Sequence, residues 1–419
     1  PTLTLRACLY CLVWCLAAAL SGCGGGASSS TSGTTSAPGG AGYPVSAASL
    51  RDPNVVPIAV ESGPGNNVNI PYVSVTGDGV QARHQHLQNQ DHILLDTGST
   101  GLRIFGSLLS AAPALALPAQ QVGSSSTITE CAQFLNAVAW GPVKLADVRM
   151  GGKVAASVPV QLLQADFPLA LSKSSLCGSA PVMAQPDSIG ANGVLGVSLF
   201  ANDRQRYFDC TNPDGNCQAT VAPHLQVQNP VGLFASDNNG VLVQLPALGS
   251  SGASTASGYL VFGVDTQANN RLGQAQVVPV NPINGFFTTT VKGLSLNRSF
   301  IDSGSNGLFF NDPDASLTTR CNTAAFGFYC PPAAQSFSAS ILLSNSSAVV
   351  NFSIANADSL FQTGNYAFNN LGGTFDSASF DWGLPFFFGR SVYTVIEGHS
   401  VGTLGGPFTL YESRKVKAG

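Results

Sequence analysis

Asp96 and Asp302 sit in two copies of one short pattern, and that repetition constrains the fold more than any other feature of the chain. Ile93-Leu94-Leu95-Asp96-Thr97-Gly98-Ser99-Thr100-Gly101-Leu102 returns as Ser299-Phe300-Ile301-Asp302-Ser303-Gly304-Ser305-Asn306-Gly307-Leu308. In each copy an apolar run delivers a carboxylate, followed by a hydroxyl residue, a glycine and a second hydroxyl residue. A single Asp-Thr-Gly or Asp-Ser-Gly is ordinary turn chemistry, because short polar side chains and glycine both favour tight turns. Two copies 206 positions apart, both entered from apolar strands, predict two related units that bring two aspartates together.

Composition limits what surrounds them. A chain of 419 residues can bury one or two cores, and the repeat favours two. Charged residues are only 10% of the chain and hydrophobic ones 44%, which excludes a highly charged disordered protein. The Gly, Ser, Thr, Asn and Val content points to β structure with many turns. The formal net charge of −4, without a basic cluster, gives no electrostatic footprint for nucleic acid.

The chain reads as a succession of short strands from Val55 onward. Val143 to Met150 alternates and then meets Gly151-Gly152, a hairpin signal. Gly258 to Gly263 is a further strand, Phe286 to Val291 alternates weakly, and Gly293 to Asn297 leads into the second aspartate motif. Helical patterns are few, and Leu108 to Ala116 is the best of them. The shift in composition at Gly249 to Ser254 marks either a boundary between the two units or a hairpin loop just beyond it.

The N-terminal segment carries an address. Arg6 precedes an apolar run from Ala7 to Leu20, too short for an ordinary membrane-spanning helix and suited to a secretory signal. Leu20-Ser21-Gly22-Cys23 resembles the bacterial lipobox, which implies a signal peptide over residues 1–22 and lipidation of Cys23. Gly24 after the cysteine, in place of aspartate, fits outer-membrane retention by resemblance to enteric lipoproteins. Residues 23–49 then form a Gly/Ser/Thr-rich tether that cannot pack a core. The protein is expected to be exported and lipid-anchored to the bacterial cell envelope, touching the membrane only through that lipid.

Ten cysteines sort on this reading. Cys8, Cys11 and Cys15 leave with the signal and Cys23 takes lipid, so six remain: Cys131, Cys177, Cys210, Cys217, Cys321 and Cys330. An even number in an exported chain implies disulfides. Near neighbours suggest Cys210–Cys217 and Cys321–Cys330, leaving Cys131–Cys177, although six cysteines permit about 15 pairings.

At this point the chain resembles the pepsin-like aspartic peptidases, and more narrowly a bacterial exported family of uncharacterised pepsin-like proteins. In pepsin-like proteins each lobe carries an apolar-apolar-Gly segment that threads through the loop bearing the aspartate. Val194-Leu195-Gly196 is similar to the first copy, and Phe380-Asp381-Trp382-Gly383 to the second. The resemblance extends from about Val55 to Tyr411. It implies a mostly β, bilobal fold with the active site in the interlobe cleft, an N-terminal lobe over residues 50–248 and a C-terminal lobe over residues 249–415.

The same resemblance assigns roles. Asp96 and Asp302 would share one proton and activate a water against a peptide bond, without a metal or other cofactor. Gly98 and Gly304 would let the backbone turn beside each carboxylate, Thr97 and Ser303 would bond across the lobes, and Ser99 and Ser305 would hold the outer carboxylate oxygens. A monomeric, lipid-anchored endopeptidase acting on polypeptides is the leading function, with a catalytically inactive binding lipoprotein of the cell envelope as the alternative. Glycoside hydrolysis by two carboxylates would need at least ~5 Å between them, which these twin motifs disfavour.

Several residues depart from the family pattern. The flap that covers the cleft falls around Cys131 to Gly141 and offers Phe134 and Trp140 in place of the usual tyrosine. Arg103 stands where a tryptophan often supports that tyrosine, and Cys131–Cys177 would pin the flap. Asp381 interrupts a normally apolar segment; a solvent-facing turn is expected over a third carboxylate of the dyad, because burying an unpaired charge is costly. His84, His86 and His92 read as a polar surface loop, and Asp209 to Asn216 as a disulfide-closed turn.

Overall fold

A computed structural model describes residues 48–75, 90–109, 117–123, 126–134, 137–165, 177–178, 180–211, 217–219, 221–314, 316–317, 321, 325 and 327–413. The chain is mostly β, as the sequence predicts. Its strands fall into a 15-stranded sheet, a seven-stranded sheet and a two-stranded ribbon.

The large sheet joins distant parts of the chain. Val55–Val60 pairs antiparallel with Ala256–Phe262, placing Val55 opposite Val261. Ala256–Phe262 pairs with Gly240–Gln244, which in turn pairs with Arg390–Val395. Gly249 to Ser254 is therefore the loop of a hairpin, the second of the two readings of that stretch. Val- and Ile-rich strands suit these central positions because branched side chains pack well on a pleated surface. The largest core cluster runs from Val56 and Ile58 through Leu95, Leu195 and Val243 to Ile301, Trp382 and Phe386. Burying each such side chain contributes about 1.5–3 kcal/mol.

The hairpin predicted at Gly151-Gly152 joins Val138–Met150 to Lys153–Leu163, with Met150 opposite Lys153. Gly151 adopts φ +57°, a conformation that favours glycine. At the expected helix, Gly106–Leu108 forms a single 3-10 turn, and residues 110–116 lie outside the described residues. The described residues include one short α-helix, Ala357–Phe361, whose Asn356 side chain accepts from the Ser359 N–H.

All three expected disulfides are present: Cys131–Cys177, Cys210–Cys217 and Cys321–Cys330. The signal segment, Cys23, the tether up to residue 47, His84, His86 and residues 212–216 lie outside the described residues. His92 is half-buried, edge-on to the Tyr72 ring at 4.8 Å, with Glu61 and Asp91 within 4 Å.

Candidate active site

Each aspartate ends an apolar strand and is held by a second strand passing beneath its turn. Gln90–Asp96 runs parallel to Gly193–Val197, pairing Leu94 with Val194, Leu95 with Leu195 and Asp96 with Gly196. Leu294–Ile301 runs parallel to Phe380–Trp382, pairing Phe300 with Asp381 and Ile301 with Trp382. The threading strand also pairs antiparallel with the strand leaving each turn, through Leu102–Leu195 in one half and Leu308–Trp382 in the other. The crossing needs glycine. A Cβ on Gly196 would stand 2.6 Å from the Ser99 carbonyl carbon, and one on Gly383 would stand 2.5 Å from the Ser305 carbonyl oxygen.

The turns then lock onto one another. Thr97 N–H donates to Ser303 Oγ at 3.1 Å, and Ser303 N–H donates to Thr97 Oγ1 at 2.9 Å. Ser303 Oγ donates onward to the Leu95 carbonyl at 2.7 Å, and Thr97 Oγ1 to the Ile301 carbonyl at 3.4 Å. The carboxylates are held in matching cradles. Asp96 Oδ1 accepts from the Gly98 and Ser99 N–H groups at 2.8 and 3.1 Å, and the Ser99 hydroxyl donates to Asp96 Oδ2. Asp302 Oδ1 accepts from Gly304 N–H at 2.7 Å, and Asp302 Oδ2 from the Ser305 hydroxyl at 3.1 Å.

Gly98 and Gly304 hold the two acids face to face. A Cβ on Gly98 would lie 2.5 Å from Asp302 Cγ, and one on Gly304 2.8 Å from Asp96 Cγ. Each turn therefore brings its glycine against the opposite carboxyl, which no larger residue allows. Both acids are buried. Burial first, reinforced by the Asp96 carboxyl beside it, holds the Asp302 carboxyl well above the usual carboxylate range. One proton held between two acids is the expected chemistry.

A cavity opens over the pair, walled by Phe134, Phe200, Phe286 and Phe300, with Asp96 and Asp302 in its lining. Phe134 comes from the hairpin of Ser126–Gln133 and Val138–Met150, whose tip is closed by a Phe134 N–H to Ala137 carbonyl bond of 2.9 Å. Trp140 does not reach the cavity. Cys131 pairs with Trp140 and Ala132 with Ala139, so strand alternation puts Trp140 on the Cys131 face and leaves Ala132 and Phe134 on the other. Trp140 is buried with Cys131, Cys177 and Phe208 instead, where the disulfide joins the hairpin to the rest of the half.

Arg103 supports Phe134 with a charge. Its guanidinium lies 5.9 Å from the Phe134 ring centre and is fully buried. Arg103 Nη2 donates to Glu130 Oε1 at 2.5 Å and to Asp203 Oδ2 at 2.6 Å, Nε to Gln161 at 3.1 Å, and Nη1 to the Thr100 carbonyl at 2.8 Å. Burial first, opposed by Arg103 and reinforced by Asp203, holds Glu130 well above its usual range. Glu130 and Asp203 escape the sequence reading, since neither belongs to a local motif; only the isolated acid Glu130 within an otherwise uncharged strand signals a buried partner.

Asp381 corrects an expectation. It is fully buried, not solvent-facing, and neither carboxyl oxygen meets a hydrogen-bonding partner in good geometry. Burial holds its carboxyl well above the usual range, with Ser305 opposing and the Asp96 charge adding. The cost of burying a charge is avoided by keeping the proton.

Among solved structures, the aspartic proteinase from Irpex lacteus matches with a TM-score of 0.43 and 13% identity, over 87% of this chain and 98% of that one. A comparison with curated proteins finds no match. The family described as "Protein of unknown function (DUF3443)" matches residues 51–411, and the chain belongs to it.

Proposed function

We propose that the protein is a pepsin-like aspartic endopeptidase. The observation that carries this reading is the reciprocal fit of Gly98 against the Asp302 carboxyl and of Gly304 against the Asp96 carboxyl. Two carboxyls so close cannot both be ionised at moderate pH. Asp302 holds the proton, favoured by its burial. Asp96 takes a proton from a water whose oxygen bonds to the scissile carbonyl carbon, while Asp302 protonates the carbonyl oxygen. Return of protons through the pair to the amide nitrogen breaks the C–N bond and releases acid and amine. The phenylalanine-walled cavity accepts an extended polypeptide, and main-chain hydrogen bonding would hold it in register.

Purified protein should cleave an unfolded protein substrate. Asp96→Asn and Asp302→Asn should each lower kcat by about 10²–10⁴-fold. Wild type that is inert from acidic to neutral pH, with its disulfides formed, would overturn the proposal. Phe134 favours a second reading, because its side chain lacks the hydroxyl through which the flap of resembling proteins meets substrate. Peptide binding without cleavage in wild type would select that reading, a catalytically inactive binding protein.

Export and anchoring belong to the same proposal. Residues 1–22 act as the signal, Cys23 carries lipid, and a monomer works from the membrane surface of the cell envelope. The support is the Leu20-Ser21-Gly22-Cys23 sequence and the three disulfides, which fit an oxidising compartment. Labelled palmitate should enter wild type and not Cys23→Ala; equal labelling of the two would refute the anchor.

A further inference from the structure

The hairpin over the dyad is fastened along its outer edge. Ser126–Gln133, the strand that leads to Phe134, pairs on one side with Val138–Met150. On the other side it pairs with Arg206–Thr211, from Ser126 opposite Thr211 to Cys131 opposite Arg206. The Cys131–Cys177 disulfide adds a covalent tie, and Arg103 pairs with Glu130 of the same strand. Swinging this flap away would break a strand ladder and a buried ion pair against the pull of a disulfide.

The opposite wall is fastened differently. Leu199 and Phe200 of the first half and Asn284, Gly285 and Phe286 of the second line the cavity, and Arg204 joins the two groups. Arg204 Nη1 donates to the Ile283 carbonyl at 2.9 Å, and Nη2 pairs with Glu397 Oε2. Glu397 Oε1 accepts from Ala201 N–H at 3.0 Å, and Glu397 N–H donates to the Leu199 carbonyl at 2.8 Å. The guanidinium also covers the Phe200 ring at 4.2 Å. Arg204 holds φ +57°, a left-handed backbone that a non-glycine residue adopts at some cost.

This clasp lies at the surface, with Arg204 and Ile283 exposed and Glu397 half-buried. An exposed ion pair is a weak fastening beside a strand ladder and a disulfide. The cavity between the walls measures about 80 Å³. Sites that hold a ligand run to roughly 300–1,000 Å³, so a polypeptide reaches the dyad after a wall has moved. We propose that Arg204 is the latch of the site: the wall of Leu199, Phe200 and Gly285 opens when Arg204 releases Ile283 and Glu397, the flap stays in place, and the opening admits polypeptide. Thr97 and Ser303 keep the two aspartate turns joined meanwhile, so the acids stay in register. The identity of what enters rests on the peptidase reading, whereas the opening is measured without cleavage.

Amide hydrogen exchange on the intact protein reads the opening. Residues 281–287 report on the latched wall and Ser126–Gln133 on the flap. In wild type the wall should be the less protected of the two. Arg204→Met, which keeps the apolar stem over Phe200 and removes the donors, should speed exchange of the wall about tenfold and leave the flap unchanged. Glu397→Gln, which keeps an acceptor for Ala201 N–H and removes the charge, should act in the same way. A flap that loosens with the wall, or a wall as protected in both variants as in wild type, overturns the proposal.

Fluorescein-labelled β-casein, an unfolded polypeptide, separates a latch from a strut. In an Asp96→Asn background, chosen to bind without cutting, Arg204→Met should raise the association rate constant about tenfold, because entry no longer waits for release. A strut that shapes the wall would lower that rate or leave it unchanged when removed, and either result overturns the proposal. A wall opened by the substitution with no casein bound to either protein supports the latch and overturns the peptidase reading instead.

Discussion

Thr97 and Ser303 exchange hydrogen bonds, each giving its backbone N–H to the other's hydroxyl at 3.1 and 2.9 Å. The exchange links segments 206 residues apart in the chain. Each hydroxyl also donates to a carbonyl of the strand delivering the opposite aspartate, so four bonds join the two turns. Neither turn can move without breaking bonds to the other. The acids' separation is therefore set by backbone and hydroxyl groups, leaving the carboxyls free for proton chemistry.

Thr97→Val tests this directly, since valine keeps the shape and removes the hydroxyl. Ser303 N–H would lose its acceptor in a buried place, at a cost of about 1–3 kcal/mol in urea unfolding. Ser303→Ala should cost a similar amount, and the double variant less than the sum, because each single change already breaks the exchange. Strict additivity would show that the two hydroxyls act independently.

The dyad was legible because its chemistry is local. Aspartate, hydroxyl and glycine lie within four residues, and the second copy supplies the partner. The apolar-apolar-Gly segments were legible for the same reason, and they take the threading positions expected of them. The two short disulfides followed from near neighbours, with separations of 7 and 9 residues, and the third from the remaining pair. Trp140 was misplaced because the facing of a hairpin residue depends on cross-strand register, which its own neighbours do not encode. Asp381 was misread because the burial penalty was applied to a charge, and the group escapes that penalty by holding its proton. Glu130 and Asp203 stand 27 and 100 residues from Arg103, and only the folded chain brings them together.

Arg103 should prove structural and positioning at once. Replacing it with methionine keeps much of the volume and leaves Asp203 and Glu130 without their cation. Breaking a buried pair by removing one partner costs about 3–5 kcal/mol. Arg103→Met should lose stability on that scale, and combining it with Glu130→Gln and Asp203→Asn should recover part of the loss. The expected signature is a triple variant more stable than the single one in chemical unfolding. Equal stability of the two would mean that the acids are not stranded by loss of the arginine.

Glu130 then makes the fold's stability depend on pH in a stated direction. One guanidinium nitrogen serves both Glu130 and Asp203, so a proton on Glu130 leaves a balanced Arg103–Asp203 pair. Its folded carboxyl sits well above the usual range, chiefly through burial, so the folded state keeps a proton that the unfolded chain releases near pH 4.3. Stability is fully present below that pH and falls as pH rises toward the folded value, by at most about 1.4 kcal/mol per pH unit for this group. Asp302 and Asp381 add falls of the same sign. Glu130→Gln, which mimics the protonated acid, should flatten its share of the slope between about pH 5 and 7 in urea unfolding. A slope unchanged from wild type would show that Glu130 is ionised in the folded protein and that Arg103 carries both acids as anions.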